Sequence, residues 1–159
     1  MKKLKKKGKG LNSKAMHCPY CKQKMTLRTA AGIYKGDAKD SMLYVCDGYP
    51  ACDTYIRVHP GTTVPMGIPA NGKLRALRNE THKHFDKIHK LGIMSRKDAY
   101  VWLADKLNLP MSHAHIGYFS EYHCKLIIEE SDKLVAYFEK IRLNRRRLEE
   151  GGENNARAS

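Results

Sequence analysis

Four cysteines within 35 residues constrain this chain more than any other feature: Cys18-x2-Cys21, then 24 residues, then Cys46-x5-Cys52. In a reducing compartment, two close pairs separated by a loop read as a metal site before they read as disulfides. Tetrahedral Zn²⁺ is the expected occupant. Each pair makes one turn that carries its sulfurs to about 2.3 Å from the ion, with neighbouring backbone N–H groups aimed at the thiolates. The segment also needs the ion, because large apolar side chains are few between Met16 and Pro60. A unit of about 45 residues rarely buries enough surface to fold alone. A structural zinc supplies on the order of 10 kcal/mol or more of folding free energy. Four sulfurs leave no open coordination position, so function is expected on the surface that the ion holds together.

Charge is the second constraint. The 159 residues carry 30 Lys plus Arg against 16 Asp plus Glu, a formal +14, which four thiolates and a dication would lower to about +12. The excess is unevenly spread. Residues 1–14 hold seven lysines and no acid, residues 71–110 hold nine bases and four acids, and residues 111–159 balance at eight and eight. Such a chain predicts a polyanionic partner, since neutralising phosphates releases condensed counterions. Nucleic acid is preferred to a membrane surface. No apolar segment of about 7–15 residues follows the lysines, and no stretch approaches the roughly 20 residues that span a bilayer. No Gly follows Met1 and no prenylation box ends the chain, so a lipid anchor is not expected. The expected location is cytoplasmic.

Around the cysteines, Met25–Thr29, Met42–Cys46 and Thr54–Val58 are rich in β-branched, aromatic and alternating residues, and AAGIYKGDAKDS supplies turns. These predict a β-hairpin or three-stranded zinc ribbon. The positions Cys18, Pro19, Cys21, Tyr44, Cys46, Tyr49, Pro50 and Cys52 resemble the C-terminal zinc ribbons of type IA DNA topoisomerases, although the loop between the pairs is longer than is common there. That resemblance implies single-stranded DNA binding. The residues permit it independently, because tyrosines lie among cations: bases stack on exposed aromatics at roughly 1–3 kcal/mol each while cations follow the phosphates. Candidate contacts in the ribbon are Arg28, Tyr34, Lys35, Tyr44, Tyr55 and Arg57. Strand alternation predicts Tyr55 and Arg57 on one wet face, with Thr54, Ile56 and Val58 on the other.

After His59, PGTTVPMGIPANG carries three prolines and three glycines, so residues 60–72 read as a linker. The period then changes to helical. Leu74, Leu77, Thr81, Phe85, Ile88 and Leu91 form one stripe that Gly92 ends. Ser95 caps a second helix, with Asp98 three residues on and Ala99, Trp102, Leu103 and Leu107 inward, until Pro110 stops it. A short turn from Ser112 to Ile116 precedes a last helix that begins at Ser120, includes Leu126, Ile127, Leu134, Phe138 and Ile141, and is open to a break near Ser131. Arg75 and Arg78 flank the first stripe and extend the candidate phosphate track. The expected organisation is α+β: a basic tail over 1–15, a ribbon over 16–59, the linker, a helical unit over 73–149 and a second tail over 150–159.

Residues 17–130 resemble a zinc-finger-containing domain family of bacteria and phages that carries no established activity. Beyond the ribbon, the matching positions are Leu74, Arg75, His82, Phe85, Asp86, Ser95, Tyr100, Trp102, Leu103, Ala104, His115, Ile116, Gly117, Phe119 and Cys124. The resemblance implies a phage or mobile-element setting. Three functions remain open. The first is nucleic-acid binding without base-specific readout, single-stranded DNA before RNA. The second is an adaptor or inhibitor that grips a host protein through the helical half. The third is a small metal-dependent nuclease in which His82 and Asp86, four apart on one helix face, meet His115. The plainer reading of those three is hydrogen bonding where helices meet. Cys124 reads as a small buried apolar residue.

Overall fold

The structure is a computed structural model that describes residues 15–156. The lysine-rich segment lies outside the described residues apart from Ala15, and so do residues 157–159 of the C-terminal tail. The chain divides after Asn71 into two compact units, an α+β arrangement with all the strands in the first and the long helices in the second.

Three strands form the first unit, in the order β1 (Met25–Thr29), β2 (Met42–Cys46) and β3 (Tyr55–Arg57), all antiparallel. Directly opposed residues share a face, so the pairing fixes both sides of the sheet. Met25, Leu27, Tyr44, Cys46 and Ile56 lie on one side, and Thr26, Arg28, Leu43, Val45, Tyr55 and Arg57 on the other. Each side carries a small core. Cys18, Met25 and Cys46 pack with Met16, Tyr44 and Cys52, while Ala30, Leu43 and Val45 lie under Ile33, Tyr34, Tyr49 and Tyr55. Between β1 and β2 the chain turns at Gly32 (φ 82°) and makes a 3₁₀ turn over Gly36–Asp40.

Residues 60–70 do not behave as a free linker. They fold back along β3, with isolated bridges joining Val58 to Pro65 and Tyr55 to Ala70. The Met66 N–H donates to the Arg57 carbonyl at 2.8 Å, and Tyr55 and Ala70 exchange N–H···O bonds at 3.3 Å. Three prolines exclude a regular strand here. Edge pairing needs only alternate N–H groups, however, and Met66 and Ala70, each directly after a proline, supply them.

The second unit consists of α1 (Gly72–Lys90), α2 (Arg96–Lys106) and α3 (Glu121–Ala156), with 3₁₀ turns at Met111–His113 and Ile116–Tyr118. Phe85, Ile88, Leu103, Ile116, Phe119 and Ile127 are its fully buried large side chains, and α1 packs chiefly against α3. Both short connections have readable ends. After α1, Gly92 (φ 67°) and Ile93 return N–H bonds to the His89 and Ile88 carbonyls, a Schellman closure. After α2, Asn108 (φ 50°) and Leu109 do the same to Asp105 and Ala104. Ser95 caps α2, accepting the Asp98 N–H at 3.1 Å while its own hydroxyl donates to the Asp98 carboxylate at 2.6 Å. The final helix is unbroken at Ser131, which lies fully buried between Ile127 and Val135 on the inward face at spacing four. It also continues past Gly151 and Gly152 to Ala156, seven residues beyond the expected end at 149.

Candidate metal centre

Two turns bring the four cysteines together. The Cys18 N–H donates to the Gln23 carbonyl at 2.8 Å, and the Lys22 N–H to the Cys18 carbonyl at 3.1 Å, with Lys22 in the left-handed region (φ 65°). In the second turn, the Tyr49 N–H donates to the Cys46 carbonyl at 3.0 Å and the Cys52 N–H to the Gly48 carbonyl at 2.9 Å. Tyr49–Pro50 is a cis peptide. Gly48 lies close to the first turn, since a Cβ there would come within 2.6 Å of Gln23 Oε1. The turns are tied together by the Asp47 N–H, which donates to the Lys24 carbonyl at 2.9 Å, and by the Thr26 hydroxyl, which donates to Asp47 Oδ1 at 2.7 Å.

All four sulfurs lie within 4.8 Å of one another. Two close approaches cross between turns: Cys18 Sγ to Cys52 Sγ is 3.6 Å and Cys21 Sγ to Cys46 Sγ is 3.3 Å. A tetrahedral ion with sulfur bonds of about 2.3 Å sets the sulfurs about 3.8 Å apart, so adjustments of a few tenths of an ångström bring these two pairs to that spacing. Polar groups already face the sulfurs. The Gly48 N–H donates to Cys46 Sγ at 3.4 Å, and the Cys52 thiol donates to Oγ1 of the fully buried Thr54 at 3.4 Å. Thr54 is a supporting residue that the cysteine spacing does not reveal.

The electrostatics point the same way. Burial opposes ionisation of Cys18, yet the N–H groups of Cys21 and Tyr20 bring its pKa down to about 6. At Cys46 burial dominates, and with the neighbouring sulfurs it pushes the thiol up to about 12. The cluster favours one thiolate and resists several. A cation at its centre removes that resistance, so the donor set fits a thiolate-bound metal ion.

The other candidate residues are scattered differently. Arg28 and Arg57 both oppose Leu43, so they lie on one face across the three strands, roughly 10 Å apart. Both are exposed, with Arg28 Cζ 5.6 Å above the Tyr49 ring and Arg57 Nη2 donating to Ser41 Oγ at 3.2 Å. Lys35 is exposed at the start of the 3₁₀ turn. The tyrosines correct the expectation of a simply wet face. Tyr34 and Tyr55 meet edge to face at 5.9 Å and are half-buried over Leu43 and Val45, because a sheet this small has nothing else to cover that side. Tyr44 lies on the opposite side, with its hydroxyl donating to the Thr63 carbonyl at 3.1 Å.

Arg75 is half-buried near the start of α1. Arg78 is not a surface cation: it is 7% exposed, and its Nε donates to the Phe119 carbonyl at 3.0 Å. Leu74, Arg78, Thr81, Phe85 and Ile88 are the buried positions of α1, so Arg78 occupies the stripe that it was expected to flank. His82 and Asp86 do sense each other on α1: burial lowers the His82 pKa and the Asp86 carboxylate opposes that shift. Asp86 also pairs with Lys90 at 3.8 Å and His115 lies 6.0 Å from the Tyr100 ring, and among the described residues the four cysteines are the group gathered for a metal. Cys124 is fully buried, and burial raises its pKa.

Among the described residues, no helix is long and apolar enough to cross a membrane. Residues 14–134 match a family described as a zinc-finger-containing domain. No curated protein and no solved structure matches the chain.

Proposed function

We propose that this chain, which belongs to the family of zinc-finger-containing domains, is a zinc-dependent nucleic-acid-binding protein that prefers unpaired strands, with single-stranded DNA favoured and RNA also accepted. Zn²⁺ is the ion that suits four thiolates in a tetrahedral shell, and Cys18, Cys21, Cys46 and Cys52 would hold it in a purely structural role. One observation carries the nucleic-acid reading. The strand pairing sets the exposed Arg28 and Arg57 on the same face as Tyr34, Tyr49 and Tyr55. Two cations bracketing a tyrosine-covered patch supply phosphate attraction at the rim and aromatic edges or faces between. Lys35 adds charge nearby in the sequence, and the lysines of residues 1–14 add sequence-independent attraction.

The test is a fluorescence anisotropy titration of metal-loaded protein against labelled oligothymidylate over a range of salt. Log affinity should fall linearly with log salt. Arg28→Ala with Arg57→Ala should flatten the slope by about 1.4, at about 0.7 per lost phosphate contact on a single strand. Absent or salt-independent binding overturns the reading.

A second reading, an adaptor for a host protein, rests on an open cleft of about 420 Å³ at the end of α2, where Val101, Leu109, Pro110 and Met111 share the lining with the polar Asp105 and Asn108. Val101 and Met111 are about half exposed. Capture of the same protein from nuclease-treated bacterial lysate, abolished by Met111→Asp, would favour it.

A further inference from the structure

We infer that the ribbon contains a subsite for one unpaired guanine base, in the cleft beside the second cysteine turn. The inference rests on the nucleic-acid reading above and adds a base preference to it. The cleft encloses about 260 Å³ and is lined by Thr26, Arg28, Val45, Cys46, Asp47 and Tyr49. Val45 and Cys46, both buried, are its deepest-set lining residues by exposure. The Tyr49 ring and the Arg28 guanidinium, 5.6 Å apart, give it two flat cationic and aromatic surfaces. Such surfaces take a splayed-out base by stacking. Arg28 is exposed, so its aliphatic stem can swing to admit the base and close over it.

Asp47 decides which base. An acid on an otherwise basic face repels phosphate, so its place in the cleft is unsuited to backbone binding and suited to accepting N–H bonds. The Thr26 hydroxyl donates to Asp47 Oδ1 at 2.7 Å and the Asp47 N–H is held by Lys24, which together fix the exposed carboxylate. A carboxylate accepts and does not donate. Guanine alone presents two adjacent donors, N1–H and the 2-amino group, along its Watson–Crick edge. Adenine and cytosine place an acceptor next to their amino donor, and thymine and uracil flank a single N–H with two carbonyls. Asp47 therefore selects guanine while Tyr49 and Arg28 hold the plane of the ring.

The experiment compares metal-loaded protein binding to an oligothymidylate of about ten nucleotides with binding to the same strand carrying one central guanine, adenine, cytosine or inosine. Guanine should tighten binding about 5- to 10-fold, the lower part of the range for a paired base contact because the carboxylate is exposed. Adenine, cytosine and inosine, which lacks the 2-amino group, should stay within about 2-fold of thymine. Asp47→Asn keeps an oxygen for Thr26 and should bring the guanine-to-thymine ratio to about one. The inosine arm needs no protein variant, so it remains decisive if Asp47→Asn fails to fold. Equal affinity for every strand, with the salt dependence intact, overturns the guanine subsite and leaves the general reading standing. A guanine preference that persists in Asp47→Asn also overturns it. Absence of all binding overturns both.

Discussion

Removal of the metal ion should unfold the ribbon unit and leave the helical unit folded. Among the described residues of the first unit, Met25, Leu43, Val45 and Val58 are the large aliphatic side chains buried, at 3%, 0%, 1% and 4% exposure. At about 1.5–3 kcal/mol each they contribute roughly 6–12 kcal/mol. The ion contributes on the order of 10 kcal/mol or more. Its loss takes away about half of the combined gain, an amount comparable to the whole net stability of about 5–15 kcal/mol that a domain retains. The helical unit has a separate core around Phe85, Ile88, Leu103 and Phe119. The assay uses a convenient asymmetry: the single tryptophan, Trp102, lies in α2. Chelation, or Cys18→Ser, should abolish hydrogen-exchange protection of the β1, β2 and β3 amides. Trp102 emission and the far-ultraviolet helical signal should barely change. Protected strand amides in ion-free protein, or elemental analysis well below one equivalent of zinc per chain, would refute the reasoning.

Three further outcomes follow from particular residues. Arg78→Met leaves the Phe119 carbonyl without its charged donor and should destabilise the helical unit by about 1.5–3 kcal/mol, read from the urea midpoint of Trp102 emission; an unchanged midpoint would contradict its structural role. Gly92→Ala meets open space but must hold φ near 67°, so it should cost about 1 kcal/mol by the same measurement, from backbone strain alone. Glu130 is held below its ordinary carboxyl pKa by Lys106, 2.6 Å away, and by Lys133 at 3.1 Å. Its stabilising effect is complete above the unfolded carboxyl pKa and is lost as pH falls through the lower folded value. Glu130→Gln should therefore flatten the acid limb of the stability curve at low salt, and superimposable limbs would count against the pairing.

The four-cysteine cluster is legible because spacing alone limits what two close cysteine pairs can do, and the helix ends because Ser95 and Gly92 have few other uses in such positions. Other features depended on facts that residue type conceals. Arg78 was misplaced because a basic side chain outweighs its position, although the series 74, 78, 81, 85 and 88 is itself the period of a buried stripe. Alternation in β3 separates Tyr55 from Ile56 but does not say which face needs covering; that depends on Val45 and Leu43 across the sheet. Residues 60–70 read as a connector from their prolines, since pairing through alternate N–H groups leaves no periodic signal. Ser131 offered a break only because serine is polar, whereas its small size lets it pack inside.

The fold-back of residues 60–70 has a bearing on solubility. A three-residue outer strand such as β3 offers unpaired amides to which a second molecule could add a strand. Here the chain blocks that edge itself, and the blocking segment carries Pro65 and Pro69, which have no N–H to offer outward. Growth of the sheet by strand addition is opposed at this border, which disfavours edge-to-edge pairing of two ribbons along that side.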